Sequence, residues 1–116
     1  RLSGGFAPDV LVGGAGRDQL NGGGADDRVF GGGGADILMG GAGADRLIGG
    51  DGADVFYFSD GDTIVDMTRF DRIDLPTGAT AELERKGHDT LVVLSDGRSM
   101  RLEDFHPAQA EDGIFI

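Results

Sequence analysis

Single apolar residues recur at every ninth position through the first half of the chain, separated by polar and glycine-rich stretches. When each unit is numbered from its glycine pair, position six is Asp and position eight is apolar in five consecutive units, from residue 13 to residue 57. A degenerate sixth unit precedes them at residues 4–12. One inward-pointing side chain per unit predicts a strand of about three residues after a tight turn of about six. The position-eight residues, which we expect to form a thin core, are Leu2, Leu11, Leu20, Val29, Leu38, Leu47 and Phe56.

Two such units would complete one coil of a flattened parallel roll, with successive coils about 4.8 Å apart. Turns of odd-numbered units would then stack on one side of the roll, and turns of even-numbered units would stack on the other side. The first stack carries Asp9, Asp27 and Asp45, and the second stack carries Asp18, Asp36 and Asp54. Glycine permits the positive φ angles that such turns need. Glycines at positions two and four of the units are Gly14, Gly16, Gly23, Gly32, Gly34, Gly41, Gly43, Gly50 and Gly52.

Each gap between stacked turns would bring two Asp side chains together, with glycine carbonyls pointing inward. Bare carboxylates at that range repel each other, and a hard cation with six or more oxygen ligands removes the repulsion. Calcium accepts carboxylate and carbonyl oxygens in loose geometry, whereas magnesium requires a tighter octahedron and keeps its waters. The sequence therefore predicts several Ca²⁺ ions, held by the six Asp side chains and the nine glycines named above.

Composition limits the kinds of partner that the chain can bind. The net charge is −11, so nucleic acid and anionic membranes are poor partners and metal cations are natural ones. The chain has no Cys and therefore no disulfide. A small extracellular domain without disulfides needs another source of stability, such as a structural metal. Its apolar runs are far shorter than a membrane span.

The repeat Gly-Gly-x-Gly-x-Asp-x-apolar-x, strong over residues 4–57, resembles the RTX calcium-binding nonapeptide. The resemblance implies a calcium-loaded parallel β-roll of a protein exported by type I secretion, hence secreted and extracellular. It carries the ligand role to Asp18, Asp27, Asp36, Asp45 and Asp54, and also to Asp9. Ala7 and Ala25 depart from the glycine at position four, which places the sites nearest the N-terminus in question.

The unit after residue 57 has lost its glycine pair but keeps Gly61 at position four. Either Asp60 or Asp62 could reach back to complete the last site, opposite Asp45. Alternation then predicts half-buried strands at 62–67 and 71–75. These segments resemble the region that follows the repeats in serralysin-type proteases and in the R-modules of alginate epimerases.

Further strands are predicted at 81–86, 90–94 and 99–102, with an Asp96-Gly97 hairpin signal between the last two. An antiparallel set of this kind would cover the open end of the roll, which is otherwise an exposed sheet edge. We therefore predict an all-β fold: an RTX parallel β-roll over 1–61 and a C-terminal β cap over 62–116, in one continuous folding unit. The chain starts inside a repeat unit and has no initiator Met, so we expect the array to begin upstream of Arg1.

The C-terminal end, residues 111–116, is an acidic pair followed by a short apolar tail. It resembles the end of type I secretion substrates and is equally compatible with a final strand of the cap. From this resemblance we expect a contact with a type I secretion apparatus.

Catalytic arrangements are not evident in the sequence. His88 and His106 have no Ser or Cys in a recognisable relationship, and the His-Glu-x-x-His pattern is absent. We predict a calcium-binding module without enzyme activity, which could belong to a larger secreted enzyme. Two alternatives remain: an accessory module that binds an acidic polysaccharide such as alginate, and an adhesin spacer. Outward-facing Arg17, Arg28 and Arg46 favour the polysaccharide, although they could simply keep the roll soluble.

Overall fold

The computed structural model describes residues 2–68 and 71–105 and contains twelve strands and no helix within them. No helix in those ranges is long and apolar enough to cross a membrane. The strands within residues 4–57 are each three residues long, as the period predicts. In chain order the strands are β1 Leu2–Ser3, β2 Val10–Val12, β3 Gln19–Asn21, β4 Arg28–Phe30, β5 Ile37–Met39, β6 Arg46–Ile48, β7 Val55–Tyr57, β8 Thr63–Ile64, β9 Arg72–Asp74, β10 Ala81–Lys86, β11 Asp89–Leu94 and β12 Ser99–Leu102.

From β1 to β9, consecutive strands belong to opposite sheets. One sheet, which we call sheet A, has the order β1-β3-β5-β7-β9, and every pair in it is parallel. The other, sheet B, has the order β10-β11-β12-β8-β6-β4-β2. Within the repeats the register advances by two units, so Leu20 pairs with Leu38 and Val29 pairs with Leu47. The predicted parallel β-roll is therefore confirmed.

The core of the roll is the row of position-eight side chains. Leu20, Val29, Leu38, Leu47 and Phe56 have no exposed surface, and Leu11 is 6% exposed. Burying one such side chain is worth about 1.5–3 kcal/mol, and the row is continuous between the two sheets. The predicted core is confirmed at these positions, while the side chain of Leu2 lies outside the described part of the chain.

The roll continues past residue 61, where the sequence placed its end. Ile64 pairs with Leu47 and Ile73 pairs with Phe56, and both isoleucines are fully buried. The unit at 58–65 is one residue shorter than the others, and the next unit, 66–74, has its full length but no glycine. A fixed period of nine loses its phase at the shortened unit, so position six passes to Asp62 and then to Asp71.

The three C-terminal strands form at the predicted places, but they do not lie across the end of both sheets. β10, β11 and β12 are antiparallel to one another, and β12 then pairs parallel with β8, so they extend sheet B at its edge. Their inward side chains, Val92, Leu94, Met100 and Leu102, join the core of the roll. His106 and the predicted secretion signal at 111–116 lie outside the described residues.

Candidate metal centre

Position-six carboxylates form a ladder along each stack of turns. In every step, Oδ1 of one Asp accepts a hydrogen bond from the backbone N–H of the Asp in the preceding turn of the same stack. The distances lie between 2.7 and 2.9 Å. The pairs are Asp9 with Asp27, Asp27 with Asp45 and Asp45 with Asp62 in the first stack, and Asp18 with Asp36, Asp36 with Asp54 and Asp54 with Asp71 in the second.

The second oxygen of most of these carboxylates is buried without a hydrogen-bond donor. Residues with such an Oδ2 are Asp18, Asp27, Asp36, Asp45, Asp54 and Asp62. Leaving a buried charged acceptor unsatisfied costs more than the 1–3 kcal/mol typical of a neutral group. An array of such oxygens at one side of each turn is the arrangement that a row of bound cations would satisfy.

Except in Asp62, the unpartnered oxygen lies against the position-one glycine of its own turn, and Oδ2 of Asp62 lies against Gly40 of the preceding turn in its stack. A Cβ built on Gly31 would be 2.6 Å from Oδ2 of Asp36 and 2.7 Å from the carbonyl oxygen of Gly49 in the next turn. Gly13 has the same surroundings, with Oδ2 of Asp18 and the carbonyl oxygen of Gly31. A carboxylate and a carbonyl oxygen therefore border a space that any side chain would fill. Sequence reasoning missed these position-one carbonyls, although the invariant glycine at position one was a signal for a crowded site.

The glycines proposed from the sequence occupy positions that require them. All nine have φ between 82° and 98°. Some of their carbonyls also join successive turns: Gly14 accepts a hydrogen bond from Gly33 at 3.1 Å and Gly23 accepts one from Ala42 at 2.9 Å. Each of these two carbonyls keeps one lone pair for a further partner.

The first turn, residues 4–9, departs from the others. Gly5 and Ala7, at positions two and four, are absent from the residues with positive φ in the described chain. Oδ2 of Asp9 is not left unpartnered, because the N–H of Gly5 donates to it at 2.9 Å. Of the proposed Asp ligands in the repeats, Asp9 is thus the one least prepared to receive a cation.

The first stack ends at Asp62. Its Oδ1 accepts from the N–H of Asp45 at 2.9 Å, whereas Asp60 is exposed and accepts from the N–H of Ser99 at 2.9 Å. Of the two candidates from the sequence, Asp62 is therefore the one that lies opposite Asp45. Asp60 instead joins the end of the roll to β12.

The second stack ends with protein hydrogen bonds. Oδ2 of Asp71 accepts from the backbone N–H of Thr68 at 3.0 Å and from its hydroxyl at 3.1 Å. The carboxylate of Asp66 accepts from the N–H groups of Gly49 and Gly50 at 2.9 and 2.8 Å. Sequence reasoning assigned no role to Asp66 or to Thr68, because their unit contains no glycine and no longer resembles the repeat.

Burial governs the acidity of the ladder. The pKa of Asp54 is raised to about 7 and that of Asp62 to about 8, chiefly by desolvation and in part by neighbouring carboxylates. The pKa values of Asp36, Asp45 and Asp71 are also raised, again chiefly by desolvation. These shifts mean that the ladder favours either protons or a positive ion beside its carboxylates.

The donor set suits a hard cation. Within residues 2–68 and 71–105, no group of three or more His, Cys, Asp or Glu side chains comes together as a metal cluster. Carbonyl oxygens of position-one glycines border the same spaces as the carboxylates in the gaps of the repeats. Calcium accepts such mixed oxygen sets with six to eight ligands, so the residues present fit this ion.

Comparisons with known proteins agree with this geometry. The family model for the RTX calcium-binding nonapeptide repeat (4 copies) matches residues 3–38 and 30–65. Among solved structures, the chain is similar to the solution structure of the AlgE6R3 subunit from the Azotobacter vinelandii mannuronan C5-epimerase. The two share 30% sequence identity with a TM-score of 0.73, over 94% of this chain and 77% of that chain. No curated protein matches the chain.

Proposed function

The chain belongs to the RTX calcium-binding nonapeptide repeat family, and from this membership we propose that its stacked turns bind several calcium ions and fold only when they do so. The family is defined by a repeat that binds calcium, so this module is a binding module and not an enzyme. The particular ligands, the coupling to folding and the place of action are the parts that we propose.

The observation that carries the proposal is the set of six buried Oδ2 atoms without donors. Each lies in a stacked turn, at a glycine whose missing side chain leaves room beside it. In our proposal Asp18, Asp27, Asp36, Asp45, Asp54 and Asp62 hold the ions, together with glycine carbonyls of the same and the next turn. A bound calcium ion would supply the positive charge and the oxygen coordination that these groups lack.

Folding and binding are coupled because the metal-free array is poorly stabilised. Each unit buries one apolar side chain, while its glycines lose much conformational entropy and its carboxylates lose their hydration. Ion binding to the native state alone adds its free energy to folding. The array therefore stays largely unfolded without calcium and becomes a rigid roll with it.

We propose that this coupling serves export. Extracellular calcium modules bind with dissociation constants of about 10⁻⁴–10⁻³ M, which is far above cytosolic calcium. An unfolded chain could leave the cell through a type I secretion apparatus and fold in the extracellular medium. The RTX family membership supports this place of action.

Far-UV circular dichroism with and without a calcium chelator tests the proposal. A β spectrum should appear on adding calcium and disappear on removing it. The variant Asp36→Asn, which removes one buried ladder carboxylate, should need more calcium to fold. The matched variant Asp51→Asn, which removes an exposed turn carboxylate, should behave as the wild type. A β spectrum that is unchanged by the chelator would refute the coupling.

A second candidate is the binding of an acidic polysaccharide, which the similarity to an epimerase subunit favours. Arg28 and Arg46 are paired neighbours on the outer face of sheet B, as the period predicts. The guanidinium of Arg46, however, forms an exposed ion pair with Glu103 at 3.3 Å. The positive charge of this arginine pair is therefore partly neutralised, which makes polysaccharide binding the weaker candidate.

Titration with alginate oligomers in the presence of calcium decides between the two. If the module binds the polymer, NMR shifts should cluster on β4 and β6, and Arg28→Ala should weaken them. Shifts absent from both strands would eliminate the polysaccharide and leave the calcium-dependent roll as the function.

A further inference from the structure

The gap between the turns of Asp45 and Asp62 differs chemically from the gaps that precede it. Beside Gly22, the two nearest oxygens are Oδ2 of Asp27 and the carbonyl oxygen of Gly40. The same pairing of one carboxylate with one glycine carbonyl occurs beside Gly13 and Gly31. Beside Gly40, by contrast, the two nearest oxygens are Oδ2 of Asp45 and Oδ2 of Asp62. One space is thus bordered by two carboxylates.

The shortened unit explains why a carboxylate takes the place of the glycine carbonyl. In the earlier gaps of this stack, the neighbouring turn begins with a glycine whose carbonyl borders the space. The turn of Asp62 begins with Phe58 and lacks one residue, so its carboxylate occupies the place beside Gly40. A side chain of charge −1 therefore replaces a neutral carbonyl.

Both oxygens are buried, unpartnered and aimed at the same space. Asp45 and Asp62 are each 1% exposed, and neither Oδ2 has a hydrogen-bond donor. Their Oδ1 atoms are already used, since Asp45 accepts from Asp27 at 2.7 Å and Asp62 accepts from Asp45 at 2.9 Å. Two buried like charges without a partner are strongly unfavourable, and a divalent cation between them neutralises both.

We propose that the gap between Asp45 and Asp62 is the tightest calcium site of the array. Calcium affinity rises with the number of charged ligands, and an added carboxylate at close range strengthens the attraction for the ion. We expect this site to bind about tenfold more tightly than the interior gaps. The inference rests on the proposed calcium binding of the stacked turns and adds an order of affinities to it.

The second stack offers a matched control. Asp71 holds the corresponding position in its last turn and is likewise 1% exposed. Its Oδ2, however, accepts two hydrogen bonds from Thr68, so no unpartnered oxygen is present there. The variants Asp62→Asn and Asp71→Asn each remove one buried charge from a last turn, but only the first removes a carboxylate from the proposed site.

Calcium titration by calorimetry, with a competing chelator to resolve tight binding, tests the order of calcium affinities. The wild type should show one site about tenfold tighter than the others. The Asp62→Asn variant should lose this tight site, and the Asp71→Asn variant should keep it. Wild-type sites that are equal, or a tight site that survives in Asp62→Asn, would overturn the inference alone. A wild type that binds no calcium would overturn the proposed function as well.

A measurement on the wild type covers the case in which Asp62→Asn does not fold. Calcium is withdrawn stepwise with chelators of increasing strength while backbone amide resonances are followed by NMR. The amides of Gly40 and Asp45 should be the last of the array to change. If the amides of Gly22 and Asp27 outlast them, the tightest site lies elsewhere and the inference is wrong.

Discussion

Thr68 donates two hydrogen bonds to Oδ2 of Asp71, one from its backbone N–H at 3.0 Å and one from its hydroxyl at 3.1 Å. These bonds satisfy the oxygen that is left without a donor in the repeats above it. The second stack therefore closes on protein groups, whereas the first stack closes on two unpartnered carboxylates at Gly40. One roll thus has two different kinds of last turn.

Replacing Thr68 by Val should destabilise the roll without changing its calcium content. The variant removes one of the two donors of Asp71 and leaves a buried carboxylate partly unsatisfied, at a cost of about 1–2 kcal/mol. Urea unfolding at saturating calcium measures the loss, and calorimetry measures the number of ions. The exposed Thr77→Val provides the control. A lower number of bound ions in Thr68→Val would show that this turn also holds a cation.

Neighbouring glycines of one turn should respond very differently to Ala. Gly32 has a φ of 92°, and a Cβ there would overlap the carbonyl of Gly14 in the stacked turn. Gly33 is not among the glycines with positive φ, and a Cβ there would meet no atom within 4 Å. Gly32→Ala should cost about 2 kcal/mol or more, from the left-handed backbone and the clash.

Gly33→Ala should instead change the stability by less than about 0.5 kcal/mol. Calcium-induced folding followed by circular dichroism compares the two variants, because a destabilised roll needs more calcium to fold. Equal calcium midpoints would contradict the stacking of the turns.

Replacing Ala by Gly should stabilise the roll at position four of the unit 22–30. Ala25 has a φ of 69°, where the other full repeats have glycine. Ala25→Gly relieves a left-handed strain of about 1–2 kcal/mol and adds about 0.5–1 kcal/mol of backbone entropy cost. The net gain should be about 0.5–1 kcal/mol, seen as a higher urea midpoint at fixed calcium. A lower midpoint would show that this turn does not need the positive φ.

The sequence was sufficient for the part of the fold that repeats strictly. A period of nine places Leu20 and Leu38 one above the other in one sheet and assigns Asp27 and Asp45 to one stack, as the structure confirms. Such inference works because each unit repeats the same turn and the same inward side chain. It also correctly located the two C-terminal hairpins from their turn residues.

The prediction failed where the units cease to be alike. Between Gly61 and Asp62 one residue is missing, so a fixed count puts Thr63 at position six. Asp71 lies in a unit without glycine, where only its packing against Asp54 identifies its place. The position-one carbonyls were missed for another reason: the invariant glycine indicates a crowded site, but the residue type does not say that its carbonyl oxygen borders that site.

The metal-free roll should become less stable as the pH rises. The pKa values of Asp54 and Asp62 are about 7 and about 8 in the fold, and those of Asp36, Asp45 and Asp71 are also raised from the ordinary 3.8. A group whose pKa is higher in the folded state binds its proton more tightly there. Its contribution to stability is therefore complete below its unfolded pKa and is lost as the pH rises through its folded value.

Far-UV circular dichroism of calcium-free protein at about pH 5 and about pH 8 measures this effect, as the residual fraction of chains that form the roll. Stability should be higher at the lower pH, where protons occupy the ladder. Asp89 and Asp96 do not disturb the comparison, because their pKa values are lowered and their contributions are lost only at more acidic pH. Saturating calcium should reverse the order, since the ion replaces the protons and binds best to ionised carboxylates. Metal-free protein that is more stable at about pH 8 would contradict a ladder of desolvated carboxylates.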